Sequence, residues 1–251
     1  MAKSYSLLSP FIERWEFNMA NSSQEHIETY LMPTHFIDSD SHAIVTFAQQ
    51  CACSAKTEAD RAISIFYAVR DQIRYDPYHI DLSPDTIKAS MVLTRQRGWC
   101  VEKALLLAAA ARALEIPSRL GFADIRNHLV PESLKKVIGT DLFVFHGYTE
   151  MFLNSRWIKA TPAFDLSLCT RWNFVPVEFT AEQNAVFHAF DKKGNKHIEY
   201  ITDHGTFADL PLGKITAALR ALYPRLFDEN ETAEKLKNQT RKTHTSQNRA
   251  R

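Results

Sequence analysis

The residue best suited to covalent chemistry is Cys100, which follows Gly98 and precedes eight consecutive apolar residues, 104–111. Alanine and leucine dominate this run, which continues to Leu114, so the pattern predicts a helix over 99–114 that is buried on most faces. Cys100 then lies in the first helical turn, where unpaired N–H groups and the helix dipole favour a thiolate, the nucleophilic form of the side chain. A small buried hydrophobic cysteine is the alternative interpretation.

A cysteine nucleophile needs a base that accepts its proton, and the base needs an acceptor that orients it. His146 is the candidate base, because it lies in the Phe-rich stretch 143–150, where an ionisable side chain costs free energy unless it is paired. Asp165 is the candidate orienting acid. The alternatives are a core histidine bound to the backbone and an aspartate that ends a turn or caps a helix.

The overall composition is balanced in charge and rich in apolar residues. The 251 residues include 30 Lys+Arg and 29 Asp+Glu, a net charge of +1, so nothing global predicts nucleic-acid binding. The sequence has no apolar run long enough to span a bilayer and no signal-peptide core at its start, so no membrane association is expected. The cysteines are too few and too irregularly spaced for a disulfide framework, which predicts a reducing, cytoplasmic location.

Helical patterns come first and strand patterns follow, which predicts an α+β fold with N-terminal helices and a buried Cys100 helix packed against an antiparallel sheet. Thr57 and Asp60 form a capping-box pattern that opens a helix. Further helices are expected after Asp40 or Ser41, over 84–95, around 134–138 and over 212–223, and strands over 118–125, 142–153, 157–161, 186–190 and 197–201. We predict one domain over 1–228, with its core at about 57–168, and a charged, disordered tail over 229–251.

Several of these features occur together in the order that is typical of one protein family. Gly98-Trp99-Cys100, the Ala/Leu-rich helix, the stretch 116–122, His146 on a strand, and Trp157 leading to a Thr-Pro step resemble the transglutaminase-like superfamily over about 60–165. The resemblance implies a papain-like arrangement of cysteine, histidine and acid. By that resemblance Cys100 is the nucleophile, His146 is the general base and then the acid, and Asp165 is the partner of the imidazole.

The position of the acid departs from the usual family pattern. The acid normally follows the tryptophan by four residues, and Thr161 occupies that place here, with Asp165 beyond Pro162. Either the chain bends and returns Asp165 to His146, or the Thr161 hydroxyl serves instead, or the site has degenerated. The segments 159–169 and 197–209 resemble a bacterial subgroup of the superfamily, which argues against degeneration.

The resemblance implies a cofactor-free cysteine hydrolase or acyltransferase that acts on a small-molecule or peptide amide, or a related carbonyl compound, through a thioester. Backbone N–H groups at the helix start and Tyr75 are the expected oxyanion donors, and Trp99 is expected to wall the site; purely structural roles are the alternatives for both side chains. His197, Glu199 and His204 fit no closed zinc pattern, so no metal is expected. A catalytically inactive binding or scaffold protein on the same fold is the competing hypothesis.

Overall fold

The computed structural model describes residues 27–227, which form seven α-helices, six strands and a final 3-10 turn at Pro224–Leu226. The helices are α1 His42–Cys51, α2 Glu58–Gln72, α3 Ala89–Arg95, α4 Cys100–Ala113, α5 Glu132–Ile138, α6 Leu166–Trp172 and α7 Leu212–Leu222. The strands are β1 Arg74–Tyr75, β2 Arg97–Gly98, β3 Ser118–Asn127, β4 Leu142–Leu153, β5 Arg156–Ala160 and β6 Ile198–Phe207. This order confirms the predicted α+β class.

Helix α4 is the centre of the core, and every residue from Cys100 to Arg112 is buried. Its two buried cations are satisfied by backbone carbonyls: Lys103 Nζ donates to Arg70 and Ile73, at 2.8 and 2.7 Å, where α2 ends. The Arg112 guanidinium donates to Ser118 at the start of β3, and also to Met32 and Ala208. Because buried charged groups persist only when hydrogen-bonded, these contacts fix α4 relative to the elements around it.

Four strands form an antiparallel sheet in the order β5-β4-β3-β6, and one face of it packs on α4. Thr149 Oγ1 in β4 donates to the carbonyl of Ala104 in α4, at 2.7 Å. Gly147 lies closest to the helix: a Cβ at this position would be 2.8 Å from Val101 Cα. Because that neighbour is backbone, only glycine allows this approach of strand to helix.

The local signals for most of these elements are confirmed. Ser41 caps α1, and Thr57 and Asp60 form the capping box of α2. Two expectations are wrong: α3 begins at Ala89, five residues after the predicted start, and the predicted hairpin over 186–201 is reduced to a single bridge between Phe190 and Lys196. The second half of that hairpin is instead the start of β6, which pairs with β3.

Some predictions fall on residues outside 27–227, the range that the structure describes. The predicted tail over 229–251 and the first 26 residues of the predicted domain over 1–228 lie outside the described residues. Within 27–227, none of the helices has the length and apolar character that crossing a membrane requires. The division into one domain and a tail, and the cytoplasmic location, stay predictions.

Candidate active site

Cys100 is the first residue of α4, and the turn before it is held by Glu102. The buried Glu102 carboxylate accepts the N–H of Trp99 at 3.2 Å and the Arg95 guanidinium at 2.5 Å. Gly98 makes room for this carboxylate, because a Cβ there would be 2.9 Å from Glu102 Oε2. The short parallel pair β1–β2 places Tyr75 beside Gly98, and therefore next to the helix start.

The electrostatic environment of the Cys100 thiol corrects the expectation of a favoured thiolate. Burial raises the pKa of Cys100 to about 11, although the N–H groups of Gly147 and Val101 act in the opposite direction. The N–H groups at the helix start therefore lower the thiol pKa as expected, but burial raises it by more. In the free protein Cys100 is a neutral thiol.

His146 is held in β4 by a bulge whose partner is Asp124. Opposite Asp124, strand β4 inserts an extra residue, and Phe145 adopts a left-handed conformation with φ 53°. The carboxylate of Asp124 accepts the Phe145 N–H at 3.0 Å and the ring N–H of His204 at 2.7 Å, and the His204 ring stacks on Phe145 with 4.2 Å between centroids. A bulky residue such as Phe145 rarely adopts positive φ. The contacts that Phe145 makes with Asp124 and His204 therefore stabilise the bulge that precedes His146.

The His146 imidazole is buried and has no charged neighbour. Burial alone lowers the pKa of His146 to about 3, and its Nε2 is buried without a hydrogen-bond partner among residues 27–227. The ring stacks on Phe187, with 4.8 Å between centroids. His146 is thus a neutral imidazole at ordinary pH, able to accept a proton.

Cys100 and His146 line one cavity of about 40 Å³. Trp99 and Tyr75 line the same cavity, so the structure brings together four of the five residues predicted for the site. Burial raises the pKa of Tyr75 well above its usual value, and the charge of a Cys100 thiolate would raise it further. A cavity of this volume accommodates only a small reacting group beside the sulfur.

The fifth predicted residue, Asp165, does not contact His146. It caps α6: its Oδ1 accepts the Leu168 N–H at 2.8 Å and the Ser167 hydroxyl at 2.5 Å, while Oδ2 accepts the Tyr75 N–H at 3.1 Å. Burial acts to raise the pKa of Asp165, but these hydrogen bonds outweigh it and hold the pKa below its usual value. The assignment of Asp165 as the acid on His146 is therefore corrected: this aspartate positions Tyr75.

Thr161 lies at the end of β5 and is nearly inaccessible to solvent. Its Oγ1 has no hydrogen-bond partner in the described part of the chain, like His146 Nε2. Both residues lie near Tyr200: its ring is 6.4 Å from the His146 ring, and the Thr161 side chain is close enough to lower the Tyr200 pKa against the larger effect of burial. Two unsatisfied polar atoms therefore occur in one small buried region.

Sequence analysis missed several residues around the site. Phe187, Tyr200 and Tyr223 come from segments far along the chain, and Tyr223 is held by accepting the Val144 N–H and donating to the Leu142 carbonyl. Only His204 left a signal, because the sequence analysis singled out the segment 197–209 that contains it. His204 binds Asp124, and within 27–227 no cluster of His, Cys, Asp or Glu could hold a metal.

A neutral thiol at a helix start and a neutral imidazole on the facing strand, both open to one cavity, form a site of the cysteine hydrolase or acyltransferase class. Residues 45–162, which contain Cys100, His146 and Thr161, match the transglutaminase-like superfamily. The resemblance seen in the sequence is thereby confirmed over this segment. The match ends at 162, so it includes Thr161 but not Asp165.

Comparisons with curated proteins and with solved structures add little to the match with the superfamily. No curated protein matches the chain. A solved structure from Cytophaga hutchinsonii, named as a candidate cysteine protease, aligns with a TM-score of 0.47 and 18% identity, covering 78% of this chain and 50% of that one. The present chain thus spans about half the length of that protein.

The first prediction concerns how alkylation of Cys100 by iodoacetamide depends on pH. Because burial holds the thiol neutral, the rate should keep rising toward about pH 11, and near neutral pH it should depend on proton transfer to His146. His146→Ala should lower the neutral-pH rate about tenfold. Mass-spectrometric peptide mapping gives the rate for each cysteine, with the exposed Cys53 as an internal control. A plateau below neutral pH, or a rate indifferent to His146, would contradict this description.

The second prediction concerns the bulge that positions His146. Asp124→Ala removes the acceptor of the Phe145 N–H, so the His146-dependent alkylation of Cys100 near neutral pH should fall about tenfold. Asp124→Asn retains an acceptor oxygen for the Phe145 N–H and should restore most of the Cys100 alkylation rate. If Asp124 acted only through its negative charge, Asp124→Asn would be as slow as Asp124→Ala. Asp141→Ala, which removes a half-exposed carboxylate near Arg126, is the matched control. Equal rates in Asp124→Ala and in the control would disprove the positioning role.

Proposed function

We propose that the chain is a cysteine-dependent acyl hydrolase that cleaves an amide or related carbonyl compound through a thioester on Cys100. The observation that carries the proposal is the shared cavity of Cys100 and His146, with Gly147 and Val101 N–H groups directed at the sulfur. A binding protein of the same fold would not need an uncharged imidazole beside a buried thiol.

The first half of the reaction transfers the acyl group to sulfur. The His146 imidazole takes the thiol proton as the sulfur attacks the carbonyl carbon, and the C=O electron pair moves onto oxygen. When the oxyanion collapses, the bond to the leaving group breaks and the imidazolium donates its proton to that group. In the second half, water loses a proton to the imidazole and attacks the thioester, and the sulfur leaves as the thiol. Water is the default acceptor, so hydrolysis is preferred to cross-linking of amines.

The oxyanion is stabilised by donors that already line the cavity. Backbone N–H groups of Gly147 and Val101 lie close enough to Cys100 to lower its pKa, and Tyr75 lines the same cavity as Cys100. Trp99 Nε1 is buried without a partner in the described range and lines the cavity as well. Preorganised donors in a dry site stabilise developing negative charge more strongly than water does.

Thr161 is proposed to take the place of the acid. A hydroxyl that accepts the ring N–H of His146 through one bridging water molecule fixes the orientation of the imidazole without adding charge. This role explains why Thr161 Oγ1 and His146 Nε2 are both buried without partners in 27–227. It is also consistent with the low pKa of His146, which burial sets and which a neutral hydroxyl does not oppose as a carboxylate would.

The function is tested by trapping the acyl-enzyme. Activated esters and peptide anilides are incubated with the protein, the reaction is quenched with acid, and intact mass and peptide mapping locate any acyl group. The proposal predicts a thioester on Cys100 in the wild type and none in Cys100→Ala. If Cys100→Ala binds such compounds but the wild type never becomes acylated, the non-catalytic binding protein is the better account.

Substitutions at Thr161 test its proposed role. Thr161→Val removes the hydroxyl at nearly constant volume and should lower the His146-dependent alkylation of Cys100 about tenfold. Thr161→Asp places a carboxylate near the imidazole, which raises the His146 pKa and shifts the pH profile of alkylation downward by about one pH unit or more. Thr170→Val, on the exposed side of α6, is the control. An unchanged profile in both Thr161 variants would exclude the residue from the site.

A further inference from the structure

A cleft of about 230 Å³ continues from the cavity that holds Cys100 and His146. Five residues line both spaces: Tyr75, Pro77, Asn127, Phe143 and Phe164. The cavity beside the sulfur has room only for a reacting carbonyl, whereas the cleft is large enough for the rest of a small substrate. The cleft is therefore the direct path by which a substrate could extend from the sulfur toward solvent.

The walls of the cleft are aromatic, and their positions are fixed by contacts. Phe164 and Phe174 stack with 5.8 Å between centroids, and the buried His197 supports Phe174 from behind at 4.0 Å. On the other side, the Tyr78 hydroxyl is hydrogen-bonded to Ser133 at 2.9 Å. Because these rings are already held in place, a ligand that stacks on them loses little free energy to ordering of the protein.

The mouth of the cleft combines exposed rings with one positive charge. Tyr78 and Trp172 both line the cleft, and each is 46% exposed, which is unusual for large aromatic side chains. Among the described residues that line the cleft, Arg171 alone is charged, and no ion pair is formed by it within 27–227. An arginine beside a tryptophan at the end of an apolar cleft suits a carboxylate carried by an otherwise apolar ligand.

We propose that this cleft is the substrate-binding site, and that it takes a short peptide or peptide-like amide with an aromatic side chain and a terminal carboxylate. The aromatic side chain packs between Tyr78 and Trp172, the carboxylate binds Arg171, and the reacting carbonyl reaches Cys100. The inference rests on the proposed function, since it assigns the substrate class of the same site.

Asn127 is suited to recognise the amide part of such a ligand. It is 6% exposed, lines both spaces, and uses its Oδ1 to accept the Leu129 N–H at 3.0 Å. Its side-chain N–H₂ group can therefore donate to a ligand carbonyl at the junction of cavity and cleft. An internal segment of a long protein would place further chain, rather than a carboxylate, beside Arg171, so a short substrate is favoured.

The test uses affinity labels that alkylate Cys100 and extend into the cleft. The probes are N-iodoacetyl-phenylalanine, bearing its carboxylate directly or through a glycine, the corresponding carboxamides, and N-iodoacetyl-glycine. In the wild type the better of the two phenylalanine carboxylates should react saturably and about tenfold faster than its carboxamide and than the glycine probe. Arg171→Gln should abolish the preference for carboxylate over carboxamide, and Trp172→Ala the preference for phenylalanine over glycine.

Matched controls separate this inference from the proposed function. Arg61→Gln removes an arginine from the first turns of α2 and should keep the wild-type ratio of carboxylate to carboxamide rates. If the probes show no preference, or if the preference survives Arg171→Gln, the cleft assignment is wrong while the nucleophile stands. If simple iodoacetamide shows that Cys100 reacts independently of His146, the proposed function itself fails.

Discussion

The site depends on the close approach of strand β4 to the start of helix α4. At Gly147 the strand backbone lies so near Val101 that even a methyl group would overlap the helix backbone. This approach sets the Gly147 N–H toward the Cys100 sulfur and places the adjacent His146 in the same cavity. The buried cations and hydrogen bonds that anchor α4, and the Asp124 bulge in β4, hold the two elements in this relation. The residues proposed as nucleophile, base and oxyanion donors are thus all positioned by this one contact.

Burial, more than local charge, determines the protonation of the site. Removing the thiol and imidazole from water moves the pKa of Cys100 up and that of His146 down, so the neutral pair is the resting state. A carboxylate on His146 would favour the ion pair instead, and the structure has Thr161 where the family pattern has that acid. In the proposed reaction, proton transfer from Cys100 to His146 is therefore coupled to attack on the substrate. The oxyanion donors of the buried site then stabilise the negative charge as it develops on the substrate oxygen.

The sequence was sufficient to predict the elements that depend on local patterns, and insufficient for those that depend on distant partners. Cys100 and His146 were predicted as site residues because an apolar helix and a Phe-rich strand are strong local signals. The bulge at Phe145 was not predictable, since it requires Asp124 on another strand. Asp165 was assigned wrongly because the sequence does not show which way the chain turns after Pro162. The thiol pKa was misjudged because a helix start is visible in a sequence, whereas the rings that exclude water come from far along the chain.

Replacing Gly147 tests the central contact most directly. Gly147→Ala should lower the rate of Cys100 alkylation near neutral pH about tenfold, to the level of His146→Ala, in a protein whose far-ultraviolet circular dichroism is unchanged. The double variant should be no slower than either single variant, because both changes break the same connection. Gly213→Ala, where an added Cβ has no neighbour within 4 Å, is the control. A wild-type rate in folded Gly147→Ala, or additive effects in the double variant, would contradict the account.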